Sequence, residues 1–317
     1  MSAKGGRIVL SAGGDINELA RHGLGMEHVD ELMVRLSRRL LRADHLLAFG
    51  GTLGNPEQEL TKLLIDAALG WLSEGSAKEA DVTETGTWPL ANYGAWPYYT
   101  FISAEDKAKL VGICHFVSVD PPGVDRAALK ALIDAWDVDR ADLKAFFKAW
   151  AADTEARRHT ADALTEMRKR STDDTMLRVV WGGKIRGAAG WMAGIAEEVM
   201  FSLKLEKPVL ILGGFGGCAR ELADFLATED APWPKSLTLA DACESDTYQA
   251  LIKGDKHRAS LQARYDELEQ HVTQMRTEIH HGQQVNGVSA ETLMKALSIE
   301  SSSRAIKLVT ELVDRSS

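Results

Sequence analysis

RVVWGGKIRGAAGWMAGIAEEVMFSLKLEKPVLILGGFGGCAREL, the stretch Arg178–Leu222, repeats one unit: a short apolar run, a glycine turn, then a helix. An apolar run of four to eight residues that ends in glycine and passes into helical spacing is the pattern of a buried parallel strand feeding a crossover helix. Two such units in succession point to a sheet with helices on its faces.

Working outward, the pattern recurs. Arg7–Ser11 is a first strand candidate, followed by Ala12-Gly13-Gly14-Asp15. Helical spacing of Val29, Leu32, Met33, Leu36 and Leu40 predicts a helix over 26–42. His45–Phe49 is a second strand, leading into Gly50-Gly51-Thr52-Leu53-Gly54-Asn55-Pro56, with a helix from about Glu57 to Leu72. Residues 74–105 read as irregular, and Val111–Val119 as a strand closed by Pro121-Pro122-Gly123. Residues 125–170 form a helical insertion, and Leu177–Trp181, Pro208–Leu212 and Leu237–Leu239 complete the strands. The expected fold is α/β, a Rossmann-like doubly wound parallel sheet with a helical C-terminal extension. The boundary is placed near Asp255, dividing 1–255 from 256–317. In the extension, Leu261, Tyr265, Leu268, Val272, Met275 and Ile279 alternate at spacings of four and three, an a/d seam expected to act as a coiled coil between protomers. Two short helices, starting near Ser289 and Ser303, close the chain.

The 317 residues are 45% hydrophobic and 26% charged, with a net charge of −9, which is ordinary globular composition and suits no extended nucleic-acid surface. Cys114, Cys218 and Cys243 lie far apart, so no disulfide framework is expected. No stretch approaches the length of a membrane span, and the apolar run after Met1 is too short for a signal-peptide core; the expectation is a cytoplasmic protein without a membrane partner. The nine histidines show no metal-ligand grouping.

Four strand ends lead into glycine pairs: Gly13-Gly14, Gly50-Gly51, Gly182-Gly183 and Gly213-Gly214. Ligands of open α/β sheets collect at these carboxyl ends. Glycine lets backbone amides approach a phosphate, and the following helix N-terminus favours an anion. None of the four is GxGxxG or GxxxxGK[ST], which disfavours a hydride-transfer cofactor and a P-loop. No cofactor is expected beyond a nucleotide-type ligand.

The succession Gly182-Gly183-Lys184, Gly194-Ile195-Ala196-Glu197-Glu198 and Pro208-Val209-Leu210-Ile211-Leu212-Gly213-Gly214-Phe215-Gly216-Gly217 resembles the SLOG superfamily. That group includes the DNA-processing protein fold, the Lonely Guy phosphoribohydrolases, the cytoplasmic domain of TRPM channels and sensor domains of bacterial Thoeris defence proteins. The resemblance spreads over residues 7–226 and leaves 257–317 outside. Phosphoribohydrolases of the group carry PGGxGTxxE; here Leu212 replaces the proline, Gly217 the threonine, and Arg220 falls at the glutamate. The resemblance is therefore closer to the sensor-type branch. It implies a pocket for a nucleotide-derived signal such as an ADP-ribose-like or cyclic nucleotide, in bacterial stress or phage defence.

The expected ligand-binding set is Ser11, Gly13, Gly14, Gly50, Gly51, Gly182, Gly183, Lys184, Arg186, Gly194, Glu197, Glu198, Gly213, Gly214, Phe215, Gly216, Gly217 and Arg220. Ser11 reads equally as a donor to phosphate or ribose and as a turn hydroxyl. Lys184 or Arg186 adds charge beside phosphate-facing amides of Gly182 and Gly183, Arg186 offering a bidentate grip. Glu197 or Glu198 binds ribose hydroxyls, or serves as acid/base on a glycosidic bond. Only one can face the site, since adjacent helical residues diverge by about 100°. Phe215 either stacks on a base or packs, and Cys218 is expected to be a small packed residue. Asn92, Tyr93, Trp96 and Tyr98 either form an aromatic lid or pack over a sheet edge. Two functions stand: a binder or sensor of a nucleotide-derived molecule, acting as a homo-oligomer or through a separate effector protein, and a hydrolase of a nucleotide or NAD N-glycosidic bond, with Glu197 and Glu198 as its catalytic candidates.

Overall fold

Six strands form one sheet in this computed structural model, which describes residues 7–14, 16–21, 23–51, 59–73, 88–139, 142–253 and 255–316. They are β1 (Arg7–Gly13), β2 (Leu46–Gly50), β3 (Leu90–Ala95), β4 (Cys114–Val119), β5 (Leu177–Gly182) and β6 (Val209–Leu212). The order is β4-β3-β2-β1-β5-β6, and every neighbouring pair is parallel. The chain builds outward from β1 to β4, then crosses back to place β5 on the other side of β1. The order thus reverses between β1 and β5, the kind of crevice where such sheets receive ligands.

Fourteen described helices flank the sheet: α1 (Ile16–Arg21), α2 (Met26–Arg42), α3 (Glu59–Ser73), α4 (Ala104–Lys109), α5 (Arg126–Asp134), α6 (Leu143–Ala152), α7 (Thr154–Asp173), α8 (Gly194–Lys204), α9 (Gly217–Ala227), α10 (Leu239–Ala242), α11 (Asp246–Leu251), α12 (Asp255–His280), α13 (Ala290–Leu297) and α14 (Ser302–Ser316). The insertion expected at 125–170 is α5, α6 and most of α7. Phe146 is wholly buried there, edge-on to Trp136 at 5.0 Å between ring centroids and to Phe101 at 4.6 Å. Asp153 caps α7 by accepting from the Ala156 amide, and α7 then runs straight into β5.

Three sequence expectations change. Residues 90–95, taken as irregular, are the strand β3. All six are buried, so no polar alternation marks the strand. β4 starts at Cys114, because Val111 is 67% exposed on the turn before it. The strand expected at Leu237–Leu239 is helical: Lys235–Leu237 is a 3₁₀ turn, and Thr238 caps α10 by accepting from the Asp241 amide. Thr52–Pro56, the continuation of the second glycine turn, and Asp15 lie outside the described residues.

The a/d row of α12 is used inside the protomer. Leu261, Tyr265, Leu268, Val272, Met275 and Ile279 are all buried, and α12 packs on α8 and α9. That row is consequently not free to be a coiled-coil seam between protomers. Ser289 caps α13 as expected, accepting from the Thr292 amide. α13 covers β6 and α9, while α14 lies along α2. Leu268, Val272, Leu293 and Val309 join Ile8, Val179 and Leu210 of the sheet in one apolar core. Among the described residues, no helix is long and apolar enough to cross a membrane.

Candidate functional site

The carboxyl ends of β1, β2, β3 and β5 open into a cavity of about 640 Å³. Its floor is Ser11, Gly13, Gly14, Gly50, Gly51 and Gly183; α7 contributes Leu164, Met167 and Arg168, and α8 contributes Gly194, Ile195 and Glu198. Met26, Leu60, Tyr93 and Tyr98 complete an apolar and aromatic side.

Three of the four glycine pairs reach this cavity. The pairs after β1 and β5 hold one another. Gly182 sits at φ 64°, and a Cβ on it would lie 2.0 Å from the Gly13 carbonyl oxygen. Gly183 donates its N–H to that same oxygen at 2.9 Å, and its own carbonyl accepts from Cys218 N at 2.9 Å. Gly217, at φ 62°, would bring a Cβ to 2.2 Å from the Gly183 oxygen. The turns after β1, β5 and β6 are thus stitched into one piece, and the Gly183 amide expected to face phosphate is already committed.

The fourth pair is elsewhere. A Cβ on Gly213 would meet the Leu297 carbonyl oxygen at 2.4 Å, and one on Gly214 the Ile299 oxygen at 2.1 Å. These glycines admit the link from α13 to α14, and Gly213, Gly214, Gly216 and Gly217 do not line the cavity. Phe215 is 1% exposed within the core and stacks on nothing in the cavity. Arg220 also lies outside it, with Nε 2.9 Å from Asp224 Oδ2. Cys218 is buried at the back of the stitched turns, and burial pushes its thiol up to about 12, which suits a packed residue and no nucleophile.

The two adjacent glutamates part company. Glu197 is fully buried and turned away from the cavity. It pairs with Arg168 Nη1, accepts from Thr165 Oγ1 at 2.7 Å, and lies 3.6 Å from Arg264 Nη1 of α12. Glu198 is, among the described residues, the carboxylate that lines the cavity. Its Oε2 stands 3.5 Å from Arg178 Nη1.

Arg178 organises the floor. It is 1% exposed, the second residue of β5, and donates to Ser11 Oγ at 2.7 Å, Ser171 Oγ at 3.0 Å and Thr172 Oγ1 at 2.7 Å. Burial lowers its pKa from the ordinary value, Glu198 opposes that shift, and the Arg168 charge adds to it. Ser11 accepts from Arg178, which leaves its own hydroxyl proton for a ligand.

Lys184 stands exposed at the rim of the cavity. Arg186 does not reach it. Its guanidinium pairs with Asp241 and Glu244 across a neighbouring cavity of about 360 Å³, which corrects its expected place beside a phosphate. Tyr93 and Tyr98 line the cavity wall. Asn92 instead braces the floor, donating to the Gly51 carbonyl at 2.9 Å, and Trp96 packs in the core.

Arg178 and Arg168 were not singled out from the sequence. Arg178 carried a signal, a lone cation within the apolar run Leu177–Trp181. Arg168 did not, because it sits in the basic run Arg168-Lys169-Arg170 of a helix whose solvent face is charged anyway.

Among the comparisons, a family model described as SLOG cluster2 matches residues 2–292. The match extends through α12 into α13, well beyond residue 226. No curated protein matches the chain.

Proposed function

This chain belongs to the SLOG superfamily, a group of nucleotide-related Rossmannoid domains, and we propose that its cavity binds a nucleotide-derived small molecule of the ADP-ribose or cyclic-nucleotide kind as a signal. The observation that carries the reading is the cavity at the β1/β5 reversal, with one inward carboxylate, Glu198, held by the buried Arg178. Its volume lies within the range of small-molecule sites. Tyr98, Tyr93, Met26 and Leu60 offer the apolar side that a base requires. Glu198 and Ser11 offer an acceptor and a donor for ribose hydroxyls.

A binder is favoured over a hydrolase by Arg220, which stands where phosphoribohydrolases carry a glutamate and lies outside the cavity. Glycosidic cleavage has one observation in its favour, the approach of Glu198 to the same space. The two part on one experiment. The protein is titrated calorimetrically with AMP, NAD, ADP-ribose and cyclic ADP-ribose, and each mixture is then analysed by mass spectrometry for released base. Saturable binding with intact ligand is the expected result. Free base that disappears in Glu198→Gln establishes the hydrolase instead, and no binding by any of the four removes the proposal.

A further inference from the structure

β4 ends the sheet on one side, and among the described residues no strand pairs with its outer edge. The opposite edge strand, β6, is buried along its length, with α13 against it. β4 is more open: His115 is exposed, and Phe116, Val117 and Ser118 are half-buried. Its ladder with β3 fixes which backbone groups point outward. Leu90 donates its N–H to the Ile113 carbonyl at 3.1 Å, and Trp96 donates to the Val119 carbonyl at 2.9 Å. Alternate residues of a parallel strand bond to the same neighbour. The backbone of residues 113, 115, 117 and 119 therefore faces β3, and that of Cys114, Phe116 and Ser118 faces away. The Cys114 N–H is taken by the Leu110 carbonyl at 3.0 Å. The N–H groups of Phe116 and Ser118, and the carbonyls of Cys114, Phe116 and Ser118, meet no protein partner among the described residues.

An open edge is a template for another strand, and proteins guard such edges with charges, proline or bulges. β4 carries none of these. No Asp, Glu, Lys or Arg stands between Lys109 and Asp120, no proline interrupts the strand, and its register with β3 runs unbroken from Cys114 to Val119. In a chain of net charge −9, this neutral stretch is where two copies approach against the least repulsion. The edge is also self-complementary. When two copies of β4 lie antiparallel about Phe116, each Phe116 N–H reaches the second copy's Phe116 carbonyl, and each Ser118 N–H reaches the second copy's Cys114 carbonyl. Both open donors of each strand then have acceptors. Only the Ser118 carbonyl, opposite the Cys114 N–H already given to Leu110, is left without a donor. Phe116 meets its own copy as a cross-strand aromatic pair, and Asp120 falls beside Gly112 instead of another acid. Val111, 67% exposed on the turn before β4, gains cover from the end of the second strand.

We propose that β4 is a dimer edge, at which two copies of this chain pair antiparallel about Phe116 and make one sheet running through both. The two cavities then open at opposite ends of that sheet, because the strands of one copy run against those of the other. The inference is independent of what the cavity binds.

The test measures the full chain by sedimentation velocity across a dilution series, beside Ser118→Pro and Phe116→Cys. Ser118→Pro removes one outward N–H and no bond of the β3 ladder, a place where edge strands admit proline. Wild type is expected to sediment at twice the mass of one chain and to dissociate on dilution, and Ser118→Pro to be a monomer with an unchanged far-ultraviolet circular dichroism spectrum. Residues paired across such an axis stand about 5.5 Å apart at Cα, within disulfide reach. In a Cys243→Ser background, Phe116→Cys is therefore expected to form a covalent dimer under mild oxidation, while Val111→Cys, on the exposed turn, does not. A wild type that stays monomeric throughout overturns the edge. So does a Ser118→Pro dimer as tight as wild type, or cross-linking at Val111→Cys without any at Phe116→Cys. Should Ser118→Pro not fold, the cross-link decides alone.

Discussion

Glu197 and Glu198 are neighbours in sequence with opposite duties. Replacing Glu197 by Gln leaves the Arg168 charge buried without its counter-ion, and breaking a buried pair in this way costs about 3–5 kcal/mol. Urea unfolding of Glu197→Gln is expected to show that loss as a lowered midpoint. Glu198→Gln is expected to cost much less stability, since its partner Arg178 keeps three other hydrogen-bond acceptors, while weakening ADP-ribose about tenfold. The sequence limited the choice to one glutamate of the two but did not say which, because that depends on where Arg168 and Arg264 arrive from distant helices. Cysteine reactivity is a second residue-scale measure. Burial pushes the Cys114 and Cys218 thiols up to about 12, and Cys243 is partly exposed. Native iodoacetamide labelling at pH 8, followed by peptide mass spectrometry, is expected to modify Cys243 and spare the other two.

At the scale of elements, the stitched turns after β1, β5 and β6 make a sharp prediction. Gly182→Ala places a Cβ against the Gly13 oxygen at a backbone angle that side chains avoid, and should destabilise by roughly 2 kcal/mol or more in chemical denaturation. Gly187→Ala tests the same left-handed angle where nothing crowds the position, and is expected to cost less. The paired strand, glycine and helix units were legible because a strand buried on both faces is a continuous apolar run bounded by glycine. β3 was not legible. Leu90-Ala91-Asn92-Tyr93-Gly94-Ala95 contains no β-branched residue, and its place in the sheet comes from pairing with β2 and β4 rather than from local preference. The Gly213-Gly214 pair was legible as a turn but not as a seat for the α13–α14 link, since a close backbone approach leaves no mark on the partner's sequence.

Across the whole molecule, the C-terminal helices are part of the core. Deleting 255–317 would uncover the apolar faces of α8 and α9 and open the space beneath Gly213 and Gly214. The truncated protein is expected to lose near-ultraviolet circular dichroism and to associate on size-exclusion chromatography; a monomer that unfolds cooperatively would contradict this. The alkaline limit of the fold follows from its buried acids. Cys114 and Cys218 rise from 9.0, and Tyr98 from 10.0, each to about 12 through burial. Their neutral forms are favoured by folding, so that contribution is complete below the unfolded values and is lost as pH climbs toward 12. The melting temperature should fall progressively between pH 9 and 12, as read by differential scanning calorimetry.

The contact of Gly13, Gly182, Gly183 and Gly217 has a further meaning for anyone who randomises this gene one codon at a time. Such a survey would score several intolerant positions and suggest as many separate requirements. Physically there is one requirement, a shared packing of three backbone bends, that is failed in several ways. Pairs of substitutions among them should be no worse than the more damaging member, whereas a pair drawn from this group and from the α2–α14 contact should combine additively.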